Sequence, residues 1–235
     1  MDRRLAAWAR QVKARHRSGK HPMACGAGRG MPALWLFTDA VRLPDPVPAI
    51  ERLPAGCGVV FRHDGVPGRA ALAVRVARLC RARGLVLVVA GDPGLAAAVG
   101  AGLHLRGGRA ARPWRRAWLR RGQIVTSSAH GRADLVRAAR AGADAAFLSP
   151  LFPTRSHPGA TALGPVRWAA LAGSAGGPVL ALGGVAGGTA GRVPLRAAGA
   201  GLIGALSGKP PGGRFHAPET MAALGRPGRP PAKPL

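Results

Sequence analysis

Between residues 33 and 207 the chain repeats one arrangement: a short apolar run, a turn, then a stretch with helical spacing. Alternation of this kind is the pattern of an α/β fold built on a parallel sheet. Strands are predicted at 34–38, 58–62, 85–90, 102–105, 123–127, 145–149, 179–182 and 201–206. The clearest intervening helix covers 68–83, where Leu72, Val76 and Leu79 share one face and Arg75, Arg78 and Arg81 face water. A second covers 132–141, with Leu135 and Ala139 inward and Gly142 closing it. Eight strands in 175 residues predict a compact (β/α)₈ TIM barrel, smaller than the usual ~250 residues. A doubly wound sheet fits the same periodicity, because periodicity does not fix closure.

In a barrel the chemistry sits at the C-terminal ends of the strands. Polar residues gather at those positions here. Thr38 and Asp39 end the first run; Arg62, His63 and Asp64 end the second; Asp92 follows the third. His104 lies in the fourth, Ser128 and His130 end the fifth, and the seventh runs into Gly183 and Gly184. His63 and His104 read as structural, and Asp134, Trp35 and Trp168 as surface or packing residues.

The ends of the chain depart from the repeat. Leu5, Trp8 and Val12 fall on one side of a potential helix that carries Arg3, Arg4, Arg10, Lys13, Arg15 and Arg17. The expected division is a basic extension over 1–30, disordered or the product of a misplaced start at Met23 or Met31, a barrel over 31–207 and a Pro/Gly-rich tail over 208–235. The extension has no apolar core of the secretory type. No apolar run approaches the roughly 18 residues of a membrane helix. Cys25, Cys57 and Cys80 lack metal-ligand or redox spacing, so they read as free thiols in a reducing, cytoplasmic compartment.

Charge changes the picture less than its size suggests. The chain carries 35 Lys plus Arg against 9 Asp plus Glu, a net charge of +26. Residues 1–30 hold 8 cations and 1 acid, residues 208–235 hold 5 and 1, and only four of the cations are lysines, a skew that compositional bias explains. Seven arginines lie within 106–121, beside Trp114 and Trp118. Arginine next to aromatics suits nucleic acid or another polyanion, but no recognised nucleic-acid motif accompanies it. The favoured reading is the solvated face of a short helix whose tryptophans pack inward.

Several longer motifs occur in one order along the chain. TSSAH (126–130), GADAAFLSPLFPTRSHPGA (142–160), LGPVRW (163–168), PVLALGGV (178–185) and AAGAGLIGAL (197–206) resemble the second half of thiamine phosphate synthases and their TenI relatives. LFTD (36–39), FRHDG (61–65), AGD (90–92) and AGLHL (101–105) match the first half more weakly. The resemblance implies a (β/α)₈ barrel that joins a hydroxymethylpyrimidine diphosphate to a thiazole phosphate and releases pyrophosphate with Mg²⁺ assistance. Its partners would be phosphorylated small molecules; nothing in the sequence fixes an oligomeric state.

By the same resemblance, Arg62 stands at the diphosphate-binding arginine and Asp92 at one magnesium aspartate. The family's glutamine, first lysine and second lysine are replaced by Val60, Asp64 and His157. Its second metal aspartate falls within 106–109, where this chain has no acid. The arginines there are candidates to bind diphosphate directly. On the thiazole-phosphate side, Gly183 and Gly184 would let backbone N–H groups approach phosphate, and Ser128, Thr154, Ser156 and His157 would add polar contacts. His130 matches the proton-transferring histidine of TenI-type thiazole tautomerases, a task suited to imidazole. Synthase is the leading expectation; the alternatives are a tautomerase using His130 and a non-catalytic binder of phosphate ligands or polyanions.

Overall fold

Alternate residues of the apolar runs serve two different cores, which is the signature of a strand with both faces buried. The computed structural model describes residues 1–18, 30–107, 116–154, 161–204 and 206. Its strands are β1 (Leu34–Phe37), β2 (Gly58–Phe61), β3 (Val86–Ala90), β4 (Gly102–Leu105), β5 (Val125–Ala129), β6 (Ala145–Leu148), β7 (Val179–Leu182) and β8 (Ala200–Leu202). All neighbours are parallel, and β8 pairs back onto β1, so the sheet is a closed barrel. The doubly wound alternative is excluded by that closure.

Trp35, Phe37, Val60, Val88, Phe147 and Leu180 fill the inside, whereas Leu34, Leu36, Val59, Phe61, Val89 and Leu148 face the surrounding helices. Large inner rings need small neighbours. A Cβ on Gly58 would lie 2.2 Å from the Trp35 indole, and one on Gly201 would lie 2.5 Å from the Phe37 ring. Trp35 and Phe37 both meet Phe147 edge-on, with centroids 5.7 and 4.8 Å apart. Trp168 is fully buried behind β6 and donates from Nε1 to the Leu148 carbonyl at 3.0 Å.

Two strands sit differently from expectation. β5 begins at Val125, because Gln123 is used in a turn, accepting from the Arg120 N–H through Oε1 at 2.9 Å. β8 is limited to Ala200–Leu202 by its partner, the short β1. The helices are α1 (Arg3–Arg17), α2 (Val47–Glu51), α3 (Arg69–Ala82), α4 (Pro93–Ala98), α5 (Arg132–Arg140) and α6 (Gly164–Gly173). In α3 Val76 is buried, with Leu72 and Leu79 packed partly against the core. In α5 the inward pair is Leu135 and Ala138; Ala139 is exposed. After β7 only a 3₁₀ turn forms, Ala190–Arg192, since the glycines of 183–191 and Pro194 disfavour a longer helix.

The amino-terminal segment is not a loose arm. Asp2 caps α1, accepting from the Arg4 N–H at 2.7 Å, and Leu5, Trp8, Ala9 and Val12 are buried in the outer core cluster. Its start lies against Gly187 beyond β7 and Lys13 reaches Gly56 before β2, so the helix crosses the outer side of β8 and β1. Arg3–Arg17 thus covers apolar surface that the expected disorder would expose. The tail over 208–235 lies outside the described residues.

The arginine-rich segment is described only at its edges. Residues 108–115, Trp114 included, lie outside the described residues. Arg116–Trp118 forms a 3₁₀ turn in which Trp118 is exposed and the following Leu119 is buried, so Trp118 does not pack inward. Arg116 pairs with Asp144 at 3.0 Å, and Asp144 also accepts the Val125 N–H at 2.7 Å, tying this turn to the start of β5. Cys57 and Cys80 are buried free thiols, and burial raises both, Cys80 to about 12. No helix among the described residues is long and apolar enough to cross a membrane.

Candidate functional site

The C-terminal mouth of the barrel has a charged half, from β1 to β4, and a hydroxyl and imidazole half, from β4 to β7. Arg62 follows β2. Its backbone N–H donates to Thr38 Oγ1 at 2.9 Å, its Nε to the Thr38 carbonyl at 3.1 Å and its Nη2 to Asp39 Oδ2 at 3.2 Å. The guanidinium also lies over the Phe37 ring, 5.5 Å from the centroid. Burial is the largest influence on its pKa and lowers it, with Asp39 and Asp64 opposing. It stays charged, as arginine does in proteins. Its side chain is 33% exposed, so it reaches the mouth while held from behind.

His63 is what fixes Thr38. Its Nε2 faces the carbonyls of Leu43 and Pro44 at 3.1 and 3.2 Å, so Nε2 carries the proton and Nδ1 accepts from Thr38 Oγ1 at 3.0 Å. The expected structural role of His63 is therefore the one it has.

Asp64 and Asp92 are joined through Arg69, the first residue of α3. Arg69 donates from Nη1 to Asp92 Oδ2 at 2.8 Å and from Nη2 to the Ala90 carbonyl at 3.0 Å. Nη2 also lies 3.2 Å from Asp64 Oδ1. Arg106, after β4, pairs with the other Asp64 oxygen. Asp92 Oδ1 caps α4 by accepting the Leu95 N–H at 3.0 Å. Arg69 does not stand out among the arginines of the α3 sequence. One signal was available: a cation at the first position of a helix is disfavoured by the helix dipole and wants a specific anion.

On the other half, His104 is fully buried inside the barrel. It contacts Thr126 Oγ1 through Nδ1 and Ser128 Oγ through Nε2, both at 2.9 Å. Burial, reinforced by Arg62 and Arg106, pushes it from 6.5 to about 3, so it is neutral and gives Ser128 a fixed orientation. An unfolded histidine gains a proton below about 6.5, whereas the folded one does not until about pH 3. The stability from this difference is full above about pH 6.5 and lost as pH falls toward 3. Thermal melting across that range is expected to show a flatter acid slope for His104→Asn than for the parent chain, by a few kcal/mol on the order of the shift.

His130 is exposed at the end of β5. Its N–H donates to Asp134 Oδ2 at 2.8 Å, and its Nδ1 lies 3.1 Å from the Ser149 carbonyl and 3.2 Å from Ser149 Oγ. Asp134 is thus an anchor of this loop rather than a plain surface residue. Gly183 and Gly184 have φ of +89° and +67°. A Cβ on Gly184 would lie 2.6 Å from both Phe152 Cβ and the Pro153 carbonyl oxygen. The glycines therefore seat β7 against the loop after β6, whose Phe152 N–H donates to the Gly183 carbonyl at 3.1 Å. Gly184→Ala is expected to destabilise the protein by about 1–3 kcal/mol through the positive φ and the clash. Gly131→Ala, with open space around it, is the control, and urea unfolding of both checks the difference. Thr154 is half-buried on the loop after β6; Ser156 and His157 lie outside the described residues.

The mouth thus sets the guanidinium groups of Arg62, Arg69 and Arg106 on one half and the polar side chains of Ser128, His130 and Ser149 on the other. The family model of thiamine monophosphate synthase (TMP-TENI) matches residues 58–208. The thiamine-phosphate synthase of Chromobacterium violaceum is 38% identical over 155 residues, covering 64% of this chain and 70% of that protein. The chain belongs to the thiamine monophosphate synthase family. The structure of a thiamine phosphate pyrophosphorylase from Pyrococcus furiosus superposes with a TM-score of 0.62 at 23% identity, covering 77% of this chain and 90% of the other. FabK from Thermotoga maritima superposes with a TM-score of 0.57 at 16% identity, covering 75% and 59%, a likeness of fold alone.

Thiamine phosphate synthases use Mg²⁺, so the residues present must be tested against it. Mg²⁺ needs near-octahedral oxygen ligands. Here one oxygen of Asp92 takes a helix N–H and the other a guanidinium. The place after β4 holds Arg106, and no acid occurs anywhere in 106–121. Among the described residues no group of three His, Cys, Asp or Glu is placed to hold a metal. The set does not fit the ion, and Asp92 is instead an ion-pair and capping residue.

Proposed function

We propose that this thiamine monophosphate synthase family member joins a hydroxymethylpyrimidine diphosphate to a thiazole phosphate. In that reaction the methylene C–O bond breaks, pyrophosphate leaves with the electron pair, and the thiazole nitrogen forms the new C–N bond. Negative charge grows on the leaving group, and a preorganised cation at that place lowers the barrier. The observation that carries the reading is Arg62, fixed by Thr38 and Asp39 with a third of its side chain open to the mouth. Ser128, held by His104, and Thr154 would contact the thiazole phosphate, with the β7 turn at Gly183 and Gly184 supplying backbone N–H groups. Ser156 and His157 are assigned to the same side by sequence resemblance. The protein would work in the cytoplasm on small phosphorylated substrates, the barrel over 31–207 carrying the site.

A second reading has an observation of its own. Nδ1 of His130 is engaged with Ser149 and its backbone is anchored on Asp134, an arrangement suited to a proton-transferring imidazole in thiazole aromatisation. Two incubations separate the readings. With both synthase substrates, pyrophosphate release supports coupling and its absence rejects it. With the unaromatised thiazole phosphate alone, thiazole formation lost in His130→Ala supports the tautomerase. If neither reaction occurs and phosphate ligands still raise the melting temperature, the chain is a binder.

A further inference from the structure

We propose that Arg69 is the resident cation of this mouth, held between Asp92 and Asp64, and that a diphosphate group binds to Arg106 and Arg62 there without a metal ion. That the diphosphate belongs to a pyrimidine substrate rests on the synthase reading; the guanidinium site itself does not.

Four observations converge. Arg69 is only 16% exposed and meets both carboxylates and the Ala90 carbonyl with its two Nη atoms. Its Nε is buried with no acceptor among the described residues. The second Asp64 oxygen pairs with Arg106, the first residue after β4. Arg106 reaches Asp64 by passing over Gly91, where a Cβ would lie 2.7 Å from its Nε.

Arg69 and Arg106 together neutralise Asp64 and Asp92. Guanidinium groups bind phosphate oxygens through paired N–H donors, so arginine can supply both the charge and the geometry. Arg106, 53% exposed, and Arg62, 33% exposed, present donors to the mouth. Arg69 acts behind them as a positioning residue, keeping both carboxylates neutralised.

Calorimetric titration of the full-length protein with inorganic pyrophosphate tests this, once with EDTA and once with excess Mg²⁺. Affinity in EDTA is expected within about threefold of that in Mg²⁺, and Arg106→Ala, at an exposed position, is expected to weaken both by about tenfold or more. Electron paramagnetic titration with Mn²⁺ provides a second readout. The parent chain is expected to leave Mn²⁺ free, whereas Arg69→Met, checked for folding by circular dichroism, releases Asp64 and Asp92 to bind it. Stoichiometric Mn²⁺ binding by the parent chain, or pyrophosphate binding only with metal, overturns the proposal. If thiamine phosphate forms under those same results, the synthase reading survives alone. If pyrophosphate binds in EDTA but no product forms, the guanidinium site stands and the synthase reading fails.

Discussion

Arg62→Ala is expected to slow pyrophosphate release by about a hundredfold to a thousandfold, the usual effect of deleting one fixed group that meets transition-state charge. The physical basis is the fixing of Arg62: Nε and Nη2 are bound to Thr38 and Asp39, so the cation is oriented before substrate arrives. Little reorganisation then accompanies departure of the leaving group. The same deletion removes a side chain that is one-third open to solvent, and Asp39 keeps its bonds to the N–H groups of Val41 and Arg42. Thermal melting is therefore expected to move little. Arg62→Lys keeps the charge but loses the planar fork, and an intermediate rate is expected. Steady-state pyrophosphate release by the three chains, with melting curves beside it, checks this. Equal rates in the parent and Arg62→Ala would remove Arg62 from the mechanism.

Removal of residues 1–18 is expected to have the largest effect on stability. Leu5 and Val12 are fully buried, and Trp8 and Ala9 nearly so, in the cluster that also holds the outer faces of β1 and β8. Burying one large apolar side chain contributes about 1.5–3 kcal/mol, and the net stability of a domain is only about 5–15 kcal/mol. Losing α1 removes several such groups and uncovers their partners, so the shortened chain is expected to be unfolded or aggregated at ambient temperature. Leu5→Ala, which keeps the helix, is expected to lose about 2–5 kcal/mol. Urea unfolding measures both. A shortened chain that melts with the parent would show α1 to be an accessory.

These two cases mark what the sequence made legible. Arg62 is legible as a candidate because a strand end is a fixed place: once the run at 58–62 is a barrel strand, the polar residue that closes it stands at the mouth. Thr38, Asp92, Ser128 and Gly183 follow by the same logic, and six of the predicted strands lie within a residue of their observed bounds. The helix face of α1 was equally visible in Leu5, Trp8 and Val12. What it packs against was not, since an apolar stripe surrounded by arginines fits a surface arm as well as a docked helix.

Arg69 is not legible in the sequence, for a related reason. On α3 it reads as one more solvent-facing arginine among Arg75, Arg78 and Arg81, and only the closed barrel carries it to Asp92, 23 positions away. His104 was read as structural from its place inside a strand, and it is; its grip on Ser128 depends on the register of β4 against β5, with Leu105 opposite Ser127. Tryptophan spacing implies a helix that buries Trp118, whereas Arg116–Trp118 forms a 3₁₀ turn that leaves it exposed.

The central claim is coupling of two phosphorylated substrates at this mouth. Its most direct test is a quenched time course with the full-length protein, hydroxymethylpyrimidine diphosphate and thiazole phosphate, following thiamine phosphate by mass spectrometry and pyrophosphate by enzymatic assay. Equal amounts of the two products, formed over many turnovers and lost in Arg62→Ala, are expected. Pyrophosphate without thiamine phosphate, or neither product from a folded protein that binds both substrates, contradicts it.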